Sequence, residues 1–131
     1  MSTVLLVEHN PTVRQSLKQP LAGDYNILEA TCPVVALDVC RVHRDIDVLV
    51  CDAELGLVSG MELASLLRAW LPELHTILIS DLPRNQWSER QEMELRELPP
   101  DDVLILERPF KPAELRIALS ALTADATVVA T

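Results

Sequence analysis

Apolar residues in this chain gather into five short runs, each followed by a longer stretch in which they recur at helical spacing. The runs are Val4 to Val7, Tyr25 to Ala30, Val48 to Cys51, His75 to Ser80 and Val103 to Leu106. All are too short for helices, and several are apolar on consecutive positions, as a strand covered on both faces reads. Between the first two, Asn10 before Pro11 is a helix start: a capping side chain followed by proline at the first helical position. Val13, Leu17 and Leu21 supply the apolar stripe of that helix, which ends near Gly23. Thr31 with Pro33 opens a second helix, in which Val35, Leu37, Val39, Cys40 and Val42 are expected to be partly buried. Ser59-Gly-Met-Glu62 has capping-box spacing and begins a third helix, with Met61, Leu63, Leu66, Leu67 and Trp70 expected inward and Pro72 closing it. The stretch from Leu82 to Pro100 is the least regular, with one amphipathic helix over 88–98; a final helix covers 113–122.

Five strand-helix alternations with apolar strands predict an α/β, doubly wound (βα)5 sandwich, flavodoxin-like, with a five-stranded parallel sheet in the order 2-1-3-4-5. The polar residues that end the strands then become interesting. In that order the first, third, fourth and fifth strands lie side by side, so Glu8, His9, Asp52, Ser80 and Arg108 converge at one rim. Open parallel sheets bind ligands at the carboxyl ends of their strands, and Asp52, where the third run stops, is the central candidate there.

At 131 residues, 49% of them hydrophobic, the chain suits one domain, read as 1–123 with a flexible tail over 124–131. A formal net charge of −9 argues against direct binding to nucleic acid, which needs a basic face. No apolar run is long enough to insert in a membrane and no leader pattern opens the chain, so the cytoplasm is the expected location. Cys32, Cys40 and Cys51 form no CxxC pair and read as core or near-core residues.

The residues at the rim, taken in order, resemble the receiver domains of two-component response regulators of the chemotaxis-protein type. The matching pieces are Val7-Glu8-His9-Asn10-Pro11 with Arg14 behind, Asp52 followed by Leu55-Gly-Leu-Val-Ser-Gly60-Met-Glu-Leu63, Ser80, and Arg108-Pro109-Phe110. The resemblance covers Val4 to Leu122. It implies that Asp52 accepts a phosphoryl group from a histidine kinase or phosphotransfer protein, and that Ser80 and the cation before Pro109 bond the phosphoryl oxygens. Magnesium would be held by Glu8, Asp52 and the backbone carbonyl of Glu54. A carboxylate nucleophile among neutralising groups is what aspartyl-phosphate chemistry requires. Any enzymatic activity would be limited to self-phosphorylation and autodephosphorylation at Asp52. A downstream regulatory protein, or a second copy of the chain in a homodimer, would use the face from the fourth to the fifth helix.

Several positions depart from that pattern. The second acid after the first strand is His9, and a neutral imidazole is a poor ligand for magnesium. His9 therefore reads as lining the rim, and weak magnesium binding is expected. The usual lysine is Arg108, a permanently charged fork. Arg108 can pair with Asp52 or Glu8 as an ion bridge, or bind phosphate. The strand-five position where the family often carries a switch aromatic is Ile105, and Pro99-Pro100-Asp-Asp replaces a small-residue turn. Trp70 and Trp87 read as packing residues.

Three functions fit. The first is a phosphoaccepting receiver. The second is a degenerate receiver, a protein-binding regulatory module that works without phosphorylation and is held in one state by an Arg108–Asp52 pair. The third, a hydrolase-type phosphatase using Asp52 and Glu54, is weak, because such enzymes carry that motif after their first strand and need a cap. With no output domain in the sequence, the chain would be a stand-alone regulator or an excised domain.

Overall fold

The computed structural model describes residues 1–123, and the tail expected at 124–131 lies outside them. Strands β1 (Thr3–Val7), β2 (Asn26–Ala30), β3 (Val48–Asp52), β4 (His75–Ser80) and β5 (Val103–Glu107) form one parallel sheet in the order β2-β1-β3-β4-β5. Helices α1 (Pro11–Lys18), α2 (Pro33–Val42), α3 (Gly60–Arg68), α4 (Glu89–Arg96) and α5 (Pro112–Thr123) connect and cover them. The expected architecture and strand order are both present.

Strand periodicity divides the interior into two layers. Leu5, Leu49, Cys51 and Leu78 point to the side of α2 and α3, where Ala36, Cys40, Met61, Leu63 and Leu67 meet them. Their neighbours Leu6, Val50, Ile77 and Ile79 point to the opposite side, onto Leu17, Leu115 and Leu119. Successive side chains on a strand face opposite ways, so consecutive apolar residues are what a sheet covered twice demands. Thr3 to Val7 is buried throughout.

Helix starts follow their local chemistry. The Asn10 side chain accepts from the amides of Thr12 and Val13, and Ser59–Glu62 and Ser88–Gln91 both close as reciprocal capping boxes. Helix α1 gives way to a 3-10 turn over Gln19–Leu21, where Pro20 has no amide with which to continue the α-helical ladder.

Two helix faces differ from expectation. On α2 the residues turned fully inward are Ala36 and Cys40, one helical turn apart, while Val35 and Val42 are exposed. Proximity to the sheet favours the small side chains and leaves the valines outward, so apolarity alone misjudged the face. On α3, Met61, Leu63 and Leu67 are buried, but Leu66 is exposed, and Trp70, beyond the end of the helix, lies half out under the guanidinium of Arg44 at 5.6 Å.

Helix α4 buries no residue of its own completely and is flanked by Trp87 and Leu98, which are buried. Among the described residues no helix is long and apolar enough to cross a membrane.

Candidate functional site

Register sets the rim. Leu6 pairs with Val50, Cys51 with Leu78, Asp52 with Ile79, and Ser80 with Glu107, which brings the ends of the four strands to one level. Just beyond them the chain leaves the sheet at Glu8, Ala53, Asp81 and Arg108. The amide of Arg108 donates to the Ser80 carbonyl at 2.9 Å, extending the pairing one residue past β5, and the Arg108–Pro109 peptide is cis. The loop after Asp52 turns at Gly56, whose φ of +95° suits glycine, and returns so that Gly60 donates to the Ala53 carbonyl. Gly60 lies hard against the strand end: a Cβ there would sit 2.3 Å from the Asp52 carbonyl oxygen. The first turn of α3 is therefore in contact with the residue that matters.

Around Asp52 the charged groups come together as one cluster. Arg108 donates from Nη2 to Asp52 Oδ1 at 2.9 Å, has Glu8 Oε1 at 3.9 Å, and reaches Asp81 Oδ1 from Nη1 at 3.3 Å. Three carboxylates thus share one guanidinium. Burial pushes the Asp52 carboxyl above its ordinary range; the hydrogen bond and charge of Arg108 pull it back, while Glu8 and Asp81 push it up again. Burial would lower the pKa of Arg108, but its bonds to Asp52 and Asp81 hold it above the usual value. The guanidinium is positively charged at any physiological pH.

Glu8 is nearly enclosed, its carboxylate accepting from the Asn10 amide at 3.2 Å and its carbonyl from Arg14 Nη1 at 2.8 Å. Arg14 also holds Glu29 on β2, so it ties the rim to the edge strand. His9 has its Nδ1 3.3 Å from Glu8 Oε2 but keeps 87% of its side chain in solvent. Glu54 sits in the β3–α3 loop, where its side chain accepts from Gln91 Nε2 of α4 at 2.9 Å.

Ser80 behaves differently. Its hydroxyl donates to the Leu82 carbonyl at 2.7 Å and accepts from the Leu82 amide and the Trp87 indole, both at 3.1 Å. A hydroxyl has one donor and two acceptor positions, and all three are filled from the loop that follows β4. The structure thus brings Glu8, Asp52 and Arg108 into mutual reach and turns the Ser80 hydroxyl into its own loop. Sequence reasoning did not anticipate Asp81 as a partner of Arg108, although an acid directly after Ser80 was visible. Nor did it anticipate the Trp87 indole bond, for which the sequence offers no signal: a loop folds back over seven residues to make it.

Among the described residues no group of three or more His, Cys, Asp or Glu side chains is spaced to hold a metal ion. Cys40 and Cys51 are buried, and burial raises the Cys40 thiol to about 11 and that of Cys51 further still, so neither offers a thiolate near neutrality.

The family model for the response regulator receiver domain matches residues 4–120. Solved structures of similar fold include a chemotaxis protein CheY4 of Vibrio cholerae, 21% identical over 93% of this chain and 98% of that one, with a TM-score of 0.77. A CheY-like receiver domain protein of Methanospirillum hungatei JF-1 is 18% identical over 92% and 91%, with a TM-score of 0.74. The signal receiver domain of an HD domain-containing protein of Pseudomonas fluorescens Pf-5 is 22% identical over 92% and 93%, at 0.76. At these identities the likeness speaks for the fold. No curated protein matches the chain.

Proposed function

The chain belongs to the response regulator receiver domain family, and from that premise we propose that it is a regulatory protein-binding module whose acidic site is neutralised internally by Arg108. One observation carries this reading: the Arg108 guanidinium lies 2.9 Å from Asp52 and 3.9 Å from Glu8, between the two carboxylates that would otherwise hold a cation. A module with its charge already compensated has less to gain from a phosphoryl group, and it works by presenting one surface.

Magnesium, which the family implies at this rim, meets residues that do not fit it in this arrangement. Its expected ligands are Glu8, Asp52 and the Glu54 carbonyl; the first two face a fixed positive charge, and His9 stands where a further acid is needed. Binding of the ion has to displace Arg108, and weak affinity follows. No step of the function is therefore assigned to the metal.

The second reading, a phosphoacceptor served by a histidine kinase or phosphotransfer protein, draws on family membership and on the access to solvent left at Asp52, whose side chain is 25% exposed. In that reading an Asp52 oxygen attacks phosphorus, the bond to the donor breaks, and Arg108 bonds the transferred oxygens in place of Asp52. The downstream regulatory protein, or a second copy of the chain, would engage the face from α4 to α5. A groove of about 480 Å³ there is lined by Leu95, Leu98, Val103 and Ile105, with Arg84 and Arg96 also on its walls. Such signalling takes place in the cytoplasm.

The two readings separate in one experiment. Incubation with acetyl phosphate and magnesium, followed by intact-mass measurement, is expected to leave the wild-type chain unmodified. Stoichiometric gain of a phosphoryl group, lost in Asp52→Asn, would overturn the charge-compensated reading in favour of the phosphoacceptor.

A further inference from the structure

A chain of contacts runs from the rim to α4 and leaves the Asp52 cluster aside. Trp87 is buried and donates its indole proton to Ser80 Oγ at 3.1 Å. The guanidinium of Arg84 lies over the same ring, 5.2 Å from its centre. Arg84 then forks onto Glu92 of α4, Nε to Oε2 at 2.6 Å and Nη2 to Oε1 at 2.7 Å, while its amide donates to Glu107 at the end of β5. The first turn of α4 is further tied to the β3–α3 loop through Gln91 and Glu54. Helix α4 has almost no core of its own, so these polar links, with Leu95 and the flanking Leu98, fix where it sits.

We propose that Trp87 is a positioning residue that couples the Ser80 hydroxyl to α4, so that the β4–α4 loop and the first turns of α4 move only when the Ser80 hydroxyl is released from the indole. The physical basis is satisfiability. Among the described residues the Trp87 N–H has Ser80 as its one acceptor, and a buried indole proton left without one is costly. Release of Ser80 therefore favours movement of the ring, and the ring carries the arginine that is clamped to Glu92. On strand β5, Ile105 is aliphatic and packs against the core on the α4 side of the sheet. The ring that touches the rim instead comes from the loop. This deepens the proposed function by naming the surface the module presents and the contact that holds it in place.

The test uses hydrogen exchange on the protein alone, so a negative outcome leaves the Arg108 reading standing. The Trp87 indole proton, distinguished from that of Trp70 by a Trp70→Phe background, is followed together with the amides of Glu92 to Leu95. Ser80→Ala is expected to raise exchange about tenfold at the indole and, in parallel, at those amides, while Ser80→Thr restores both. Amides in β1 and β3 should be unaffected. Should Ser80→Ala fail to fold, Glu92→Gln is measured instead, and it should speed exchange of the indole proton from the far end. An indole that loses protection while α4 stays unchanged would overturn the coupling, as would an indole indifferent to both substitutions.

Discussion

The two sides of the rim are built on different physics. On the Asp52 side, three carboxylates converge on one guanidinium, and every contact depends on ionisation. At the Ser80 corner, a neutral hydroxyl is saturated by a carbonyl, an amide and an indole, none of which titrates near neutrality. A charge cluster in partial contact with water is tuned by pH, salt and competing cations. A buried neutral network responds to none of these and is sensitive to geometry, because each missing partner strands a polar group. One rim thus carries an electrostatic device and a neutral hydrogen-bonded one, at the ends of adjacent strands.

The largest expected effect comes from removing what fixes the charged side in place. Gly60→Ala sets a methyl group against the Asp52 carbonyl and the Leu78 side chain, and the backbone atom cannot step aside without disturbing β3. We expect a loss of about 3 kcal/mol in urea unfolding, at the upper end for overpacking at a rigid contact. If the two sides are separate devices, Asp52 leaves Arg108 in this variant while the Trp87 indole keeps its protection. A stability within about 0.5 kcal/mol of wild type would mean that the α3 start does not brace Asp52.

Arg108→Ala should cost less, about 2 kcal/mol at pH 7, by leaving Glu8 and Asp52 as uncompensated neighbours. The pH dependence has a definite direction. Burial already raises the Asp52 pKa above its unfolded value, and loss of Arg108 removes the two influences that lower it. A carboxyl with a raised folded-state pKa is most favourable to folding below its unfolded pKa, and that contribution disappears as pH rises through the folded pKa. The deficit of the variant should therefore be greater at pH 7 than at pH 5, as read from melting temperatures at both. Equal deficits would place the stabilising role of Arg108 in packing.

Much of this molecule is legible in sequence because a sheet covered on both faces leaves a strong trace: Val4 to Val7, Val48 to Cys51 and Ile77 to Ile79 can hardly be anything but buried strands. Strand order and the level of the strand ends then follow from alternation, and the meeting of Glu8, Asp52 and Arg108 follows from strand order. Helix faces were read less well. Val35 and Val42 are as apolar as any core residue, yet the space beside the sheet takes Ala36 and Cys40, a matter of distance that composition does not record. Least legible was the state of Ser80. Its position at the end of β4 is plain, but the direction of its hydroxyl depends on a 3-10 turn over Arg84–Gln86 that returns Trp87 to it. Trp87 packs in the core as a large apolar residue should, and its N–H adds a second role that the residue type permits but does not announce.

The smallest expected change in stability offers the sharpest view of the charged side. His9 projects into solvent, so His9→Asp should alter folding by no more than about 0.5 kcal/mol. Its effect should appear in magnesium binding, because it restores a hard oxygen ligand beside Glu8. A ligand at ten times its dissociation constant stabilises the folded state by about 1.4 kcal/mol, so melting temperature at millimolar magnesium is an adequate gauge. The wild type should show almost no rise and His9→Asp a small one, since Arg108 still lies between the carboxylates. Adding Arg108→Ala to His9→Asp should then give a rise larger than the sum of the two single variants, for the guanidinium and the metal compete for the same oxygens. Additive rises would mean that they do not compete, and micromolar affinity in the wild type would mean that Arg108 yields its place readily; either result would overturn the charge-compensated site.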